Sequence, residues 1–391
     1  MTGALEGLRV LDLSGALGNY CGKMFAELGA DVILVEPPGG SPLRAEPPFA
    51  GDEPGPDNGL TFGYVNTGKR GIVLDLDTPE GAAALRELAG TADLVIESDR
   101  PGLATARGLA WADLAARNPA LVMTSITPFG QTGPYAAYEA DDLLLEALGG
   151  FLSLAGYPGG PPVRPAGEQA VAAGNLFGAV ASMIALTSAE LTGRGQHVDV
   201  SVQESVVLAL ENAVQFYDLE GTVRGRGSGQ AARAGSGVFA CADGDVYILA
   251  AGIGGNRFWP NFVAWMEAEG VAETELLQGE RWNERAYVAS AEAKEIFNRI
   301  FGGFVAGRTK AELYAEAQRR RVPLCPVSTA ADIVVSRQLG HRDYLVEHAG
   351  FGALMPGAPY RLSATPWRTT GRAPRLGEHT DAVLREIGVT A

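Results

Sequence analysis

Short apolar runs bounded by small or polar residues recur along the first 130 positions. The run LRVLDL at residues 8–13 predicts a buried strand, followed by a small-residue turn and an amphipathic helix over residues 21–28. DVILVE (31–36), residues 72–76, DLVIE (93–97) and LVMTSI (121–126) predict four further strands. Thr78-Pro79-Glu80 predicts a helix start. Threonine caps, proline lacks an N–H that the first turn leaves unused, and the acid faces the positive end of the helix dipole. Strand–helix alternation at this spacing predicts an α/β fold with a parallel, doubly wound sheet.

Residues 139–155 read as a helix broken at Gly149-Gly150, and residues 170–191 as a long alanine-rich helix ended by Gly193. Its nearly all-round apolar character predicts deep burial or a subunit interface. A short strand (197–200) and a helix (201–216) follow. The composition then turns glycine-, arginine- and serine-rich over residues 221–237, as in a linker or mobile loop. Beyond it, a hairpin (238–241 with 246–250) and helices around 258–269, 291–304 and 310–320 predict a smaller α+β unit. A final helix is expected over 380–387. The 391 residues therefore divide into a large α/β domain with the parallel sheet (1–215 with 326–391), a linker (216–235) and a small α+β domain (236–325).

With 46% hydrophobic and 20% charged residues, the chain has the make-up of a globular protein with a sizeable core. A net charge of −15 argues against nucleic acid as a partner, and it requires any polyanionic ligand to find locally clustered Lys and Arg. Cys21, Cys241 and Cys325 are widely spaced and read as reduced structural thiols. The four histidines form no ligand pair, so no metal is expected. No uninterrupted apolar run reaches the ~18 residues of a membrane span, and the N-terminus leads straight into a strand, so a cytoplasmic location is expected.

Gly15, Gly18 and Gly22 after the first strand partly imitate a dinucleotide fingerprint, but the tight first glycine pair is missing. A turn packed by small residues is the better account. Arg44, Lys69, Arg70, Arg100 and Arg107 stand beside turns. On loops at the carboxyl edge of the sheet they would hold phosphates; elsewhere they are solvated surface charge. Asp141-Asp142 opens the apolar helix DDLLLEALGGFLSLAG. Both acids suit a helix start, and only one of two adjacent positions can face a given pocket, so cap and nucleophile both stay open. Gly252, Gly254 and Gly255 follow a strand and read either as a turn or as a lid.

The runs LEGLRVLDLSGALGNYCGKMFAELGADVILVEPPGG, NTGKRGIVLDLDTPEG, ADLVIESDRPG, LVMTSITPFGQTGPYA, DDLLLEALGGFLSLAG, LTGRGQHVDVSVQES and APRLGEHTDAVLREIG resemble class III (CaiB/BaiF) acyl-CoA transferases, in family order from near residue 5 to near residue 388. The resemblance implies a Rossmann-like large domain with a smaller one, and two such chains interlocked in a homodimer. It implies CoA and acyl-CoA as substrates, with no permanently bound cofactor. It implies transfer through an aspartyl anhydride and an aspartyl-CoA thioester, with Asp142 as the nucleophile. CoA contacts are expected at Ala16, Leu17, Gly18, Asn66, Lys69, Arg70, Glu97, Ser98, Arg100, Arg107, Phe129 and Gly130, under a lid of Gly252, Gly254 and Gly255. Three departures touch these contacts: Ser98 replaces an asparagine, Pro37-Pro38 follows Glu36 where a basic residue is usual, and Arg107 lies one place beyond the family's arginine. In the related α-methylacyl-CoA racemases a histidine stands where Asp141 is and an acid where Ala170 is, so transfer is favoured over racemisation. A non-catalytic CoA-binding dimer, with Asp142 a mere cap, is the other alternative. The acids exchanged are not written in the sequence.

Overall fold

The computed structural model describes residues 3–226, 233–251, 257–369 and 371–389. The chain forms two compact units, one of Met1–Phe151, Arg164–Gln215 and Arg337–Ala391, the other of Leu152–Val163 and Phe216–Ser336.

The first unit is built on β1 (Arg9–Asp12), β2 (Asp31–Glu36), β3 (Arg70–Val73), β4 (Leu94–Glu97), β5 (Val122–Thr127) and β6 (His197–Ser201). All are parallel, in the order β3-β2-β1-β4-β5-β6. The strand order reverses between β1 and β4. That makes a topological switch point, where open α/β sheets leave a crevice beyond the strand ends. Its principal helices before residue 210 are α1 (Ala16–Ala26), α2 (Pro79–Ala89), α3 (Asp142–Leu148), α4 (Gln169–Thr192) and α5 (Val202–Leu208). One face of the sheet packs Val10, Ile96 and Ile126 with Phe25 of α1 and Leu186 of α4. The other packs Leu11, Ile33 and Val95 with Leu85 and Leu88 of α2 and Val383 of the C-terminal helix Thr380–Glu386. Cover on both faces explains why these strands read as continuous apolar runs.

Thr78 caps α2 as expected, accepting from the Gly81 N–H at 3.1 Å. Elsewhere the boundaries shift. β3 starts two residues before the expected 72, and α1 starts at Ala16 rather than 21. The expected helix from 139 starts at Asp142, because Asp141 is its cap. The single helix expected over 201–216 is two, α5 and α6 (Ala213–Glu220), with Glu211 at φ +53° between them.

α4 is 24 residues long, and its most apolar stretch has mean hydropathy 1.7, so by length and composition alone it could cross a membrane. The sequence expectation of no such segment is corrected to that extent: scattered polar residues interrupt the apolar run without lowering its average. One face is buried, where Gly174, Asn175, Gly178 and Ser182 let it lie close to the sheet and α1. A Cβ on Gly178 would sit 2.5 Å from Ile126. The opposite face exposes Leu176, Phe177, Val180, Ile184 and Leu191.

The second unit carries an antiparallel sheet of β7 (Ser236–Cys241), β8 (Gly244–Leu249) and β9 (Leu324–Pro326), in that order. The helices Trp259–Ala268, Ala291–Val305 and Lys310–Arg320 accompany it. Trp259, Phe262, Trp282, Phe297 and Phe301 form its aromatic core. β9 crosses the boundary expected at 325/326.

Candidate active site

Asp142 is the first residue of α3 and 5% exposed. Its side chain turns inward, onto the start of α4. Oδ1 accepts from the backbone N–H groups of Ala170 (2.9 Å) and Val171 (3.1 Å), and Oδ2 from Arg164 Nη2 (3.2 Å). Ala170 and Val171 belong to the first turn of α4, whose own cap residue, Glu168, supplies no side-chain bond. The unused donors of that turn are therefore met from another helix, at the positive end of the α4 dipole. The Arg164 side chain is 47% exposed, so the Oδ2 edge is the one that opens toward solvent. Asp141 is exposed and caps α3, accepting from the Leu144 N–H at 2.9 Å. Of the two adjacent acids, only Asp142 points into the fold. Glu146, one turn along α3, is fully buried.

A second polar centre lies behind the switch point. Lys69 Nζ donates to Asp12 Oδ2 (2.6 Å), the Asn19 carbonyl (2.7 Å) and Asn66 Oδ1 (2.7 Å). Asp12 also accepts from Ser14 and Asn19. Asp12, Asn19 and Asn66 are fully buried, and Lys69 is 3% exposed. Gly22 permits the close approach, since a Cβ there would lie 2.3 Å from Asp12 Oδ2. Gly18, where a Cβ would lie 2.3 Å from Ser14, and Gly22 thus serve packing, whereas a Cβ on Gly15 would meet nothing within 4 Å.

The expected CoA contacts are scattered among several settings. Ala16, Leu17 and Gly18 begin α1 at the switch point, where the Gly15 N–H donates to Ser98 Oγ at 3.0 Å and ties the ends of β1 and β4 together. Phe129 and Gly130 follow β5. Asn66 and Lys69 are internal, so placement of Lys69 on the surface as a phosphate holder is corrected: it is fully engaged with Asp12. Arg70 is corrected too. It pairs with Asp31, the first residue of β2, and with Glu386, on the amino side of the sheet rather than its carboxyl edge. Arg107 is held by Asp77 and Asp99. Arg44, whose side chain is buried, is held by Glu36. Gly252, Gly254 and Gly255 lie outside the described residues.

Glu97 and Arg100 line a cleft of about 260 Å³ with Trp111, Ser125, Gln131 and His197. Burial pushes the Glu97 carboxyl up to about 7, against the opposing hydrogen bonds from Ser125 and the Asp99 N–H. Burial also lowers His197 below its ordinary value, and its Nε2 lies 2.8 Å from Ser125 Oγ. Among the described residues there is no group of three or more His, Cys, Asp or Glu arranged to hold a metal ion. Sequence reasoning missed Arg164, Glu146 and Asp12. The signals were present: a lone arginine just before the long helix, an acid four places after Asp142 on an apolar face, and an acid ending a buried strand.

Residues 5–380 match the family described as CoA-transferase family III. The chain belongs to that family. Consistent with this, it is 45% identical over 388 residues to the succinyl-CoA:(R)-benzylsuccinate CoA-transferase subunit BbsE of Thauera aromatica, covering 98% of this chain and 94% of that protein. It is 32% identical over 393 residues to the succinyl-CoA–L-malate CoA-transferase alpha subunit of Chloroflexus aurantiacus, covering 98% and 88%. A CAIB/BAIF family protein from Brucella suis superposes with a TM-score of 0.86 at 30% identity, over 99% of this chain and all of that one. This CoA-transferase is thus an enzyme of CoA exchange between an acyl-CoA and a carboxylic acid, and CoA thioesters are its substrates. Its six-stranded parallel sheet is that of the fold family.

Proposed function

We propose that this CoA-transferase moves CoA from a succinyl-CoA-like donor to a second carboxylic acid, with Asp142 as the covalent carrier. The observation that carries the reading is the pair of N–H groups on Asp142 Oδ1. The other oxygen, Oδ2, attacks the donor thioester carbon; the C–S bond breaks, leaving an acyl–aspartyl anhydride and CoA thiolate. The thiolate then attacks Cγ of Asp142. Negative charge develops on Oδ1, where donors at 2.9 and 3.1 Å already stand at oxyanion-hole distance. The donor acid leaves, an aspartyl-CoA thioester remains, and the acceptor acid runs the two steps in reverse. No general base is needed, because both nucleophiles are anions. Only the Oδ2 edge of Asp142 opens toward solvent, so water can approach the anhydride from that side alone.

In this proposal CoA lies in the switch-point crevice, against Ala16, Leu17, Gly18, Glu97, Ser98, Arg100, Phe129 and Gly130. Asn66 and Lys69 form the framework behind it. Arg164, poised on the open edge of Asp142, receives an acceptor carboxylate. The names of the relatives point to succinate-like acids. The exposed apolar face of α4 supports a dimer, expected here between two copies.

A second reading has specific support. Asp142 is engaged on both oxygens, as a cap is, and both relatives named above are called subunits. Asp142 would then only anchor α4, and a partner chain would supply the nucleophile. Mass spectrometry of the purified chain, trapped during turnover of succinyl-CoA with a second acid, separates the two. The carrier reading expects an adduct on the Asp142 peptide and a loss of transfer by about 10³ or more in Asp142→Asn. A chain that turns over no acid pair alone, and carries no adduct at Asp142, establishes the anchor.

A further inference from the structure

Glu97 ends β4, and the next residue, Ser98, accepts from the Gly15 N–H at the head of α1. The cleft of about 260 Å³ that Glu97 lines therefore borders the switch-point crevice. The buried acids Asp12 and Glu36 are met by Lys69 and Arg44. Glu97, 4% exposed, instead accepts from Ser125 and from the Asp99 N–H (2.7 Å). Ser125 stands opposite Glu97 in the β4–β5 register, and its Oγ lies 2.8 Å from His197 Nε2 on β6. Glu97, Ser125 and His197 thus form one hydrogen-bonded row across three strands. A hydroxyl donates only once, so the row has two arrangements. With Glu97 ionised, Ser125 donates to it and accepts from the His197 Nε2–H. With Glu97 protonated, Glu97 donates to Ser125, Ser125 donates to His197 Nε2, and the imidazole proton sits on Nδ1. Gln131 adds a buried side-chain nitrogen without a partner, a donor on the wall of the same cleft.

We infer that this row gates CoA binding: the cleft takes the ligand while Glu97 carries a proton and refuses it once Glu97 is ionised. The inference rests on the placement of CoA in the crevice, and not on which residue carries the acyl group. CoA is a polyanion, and the charges facing Glu97 already lean negative. Asp99 follows it on the same loop, and Asp199 comes from β6. Asp113, on the helix Trp111–Ala115 beside the cleft, is turned back to cap that helix at the Ala110 N–H. Arg107 is held by Asp77 and Asp99. Among the described residues that line the cleft, Arg100 at its exposed rim is the remaining cation. A further carboxylate in a desolvated cleft repels a polyanion with little water to screen it. Burial pushes Glu97 up to about 7, helped by Asp99 and Asp199 and opposed by its two hydrogen bonds, and burial lowers His197. The proton is therefore exchanged near neutrality while the imidazole stays uncharged.

The test is calorimetric titration of CoA into wild type and Glu97→Gln between about pH 6 and pH 8.5. A site that needs one proton loses affinity about tenfold per pH unit above its midpoint, so the wild-type Kd is expected to rise about tenfold or more over this range. Glu97→Gln cannot ionise and should hold its Kd within about threefold, a control that also discounts titration of the ligand's own phosphate. NMR of nitrogen-15-labelled histidine gives a readout free of ligand. The chain has four histidines, and His197→Gln assigns the signals of interest. Nε2 of His197 should change from a bare nitrogen to an N–H as pH rises through the Glu97 midpoint, and Glu97→Gln should abolish the change. A wild-type Kd flat with pH, or one rising equally in Glu97→Gln, overturns the gate, as does a His197 tautomer indifferent to Glu97. Added CoA should shift the His197 signals. If CoA binds and leaves them unmoved, its placement in the crevice fails and the gate with it; shifted signals with a pH-flat Kd defeat the gate alone.

Discussion

The two buried polar centres of the first unit invite comparison. Around Lys69 every donor of the ammonium has an acceptor at 2.6–2.7 Å, and Asp12 is ringed by donors. Around Asp142 the partners are two backbone amides and one half-exposed guanidinium, with Glu146 left bare next to them. A fully satisfied network rigidifies and specifies a fold; an incompletely satisfied one costs stability and is kept where chemistry needs it. The family resemblance assigned Lys69 to ligand and Asp142 to catalysis. The contacts put Lys69 in the framework and leave Asp142 with one oxygen held by a half-exposed guanidinium.

The contrast can be broken by mutation. The largest effect on stability is expected from Lys69→Met, which strands the buried Asp12 carboxylate: a loss of about 3–5 kcal/mol in denaturant unfolding. Asp142→Ala removes only a cap-like interaction and should cost about 1–2 kcal/mol by the same measurement. Equal losses at the two sites would erase the distinction.

Glu97 comes next. Its folded pKa of about 7 is raised from 4.5, so its neutral form is the one the fold favours. Its contribution is complete below the unfolded value and is lost as pH climbs from there through about 7, by up to about 3 kcal/mol. Glu97→Gln should flatten the stability profile between those limits, as followed by thermal melts across pH. A profile unchanged by the substitution would mean the carboxyl is not desolvated. A packing substitution sharpens the framework side. Gly22→Ala pushes a methyl into Asp12 and should cost about 1–3 kcal/mol with little change in CoA affinity.

Much of the scaffold was legible in the sequence. β2 matches its expected bounds, and the Thr78 cap and the end of α4 at Gly193 match their local signals. These rest on short-range rules of burial and capping. The split between α5 and α6 was not legible, because apolar spacing runs on past Glu211 while the backbone does not. The partners of Lys69, Arg70 and Asp142 were not legible either. Each is decided by which strand or helix start lies alongside in space: Lys69 meets Asp12 57 positions away, and Asp142 meets Ala170 28 positions away. The candidate nucleophile could be picked from sequence, but what holds it could not.

The attachment of Asp142 to α4 has a mechanical side. The helix is a rod of about 36 Å, fixed at its far end where Gly195 is wedged against the backbone of Leu121 with no room for a Cβ. Pivoting such a lever by one degree sweeps its tip through roughly 0.6 Å, about the tolerance within which reacting groups must be held. Whatever presses on the outer face of that rod therefore also steers the carboxylate at its tip.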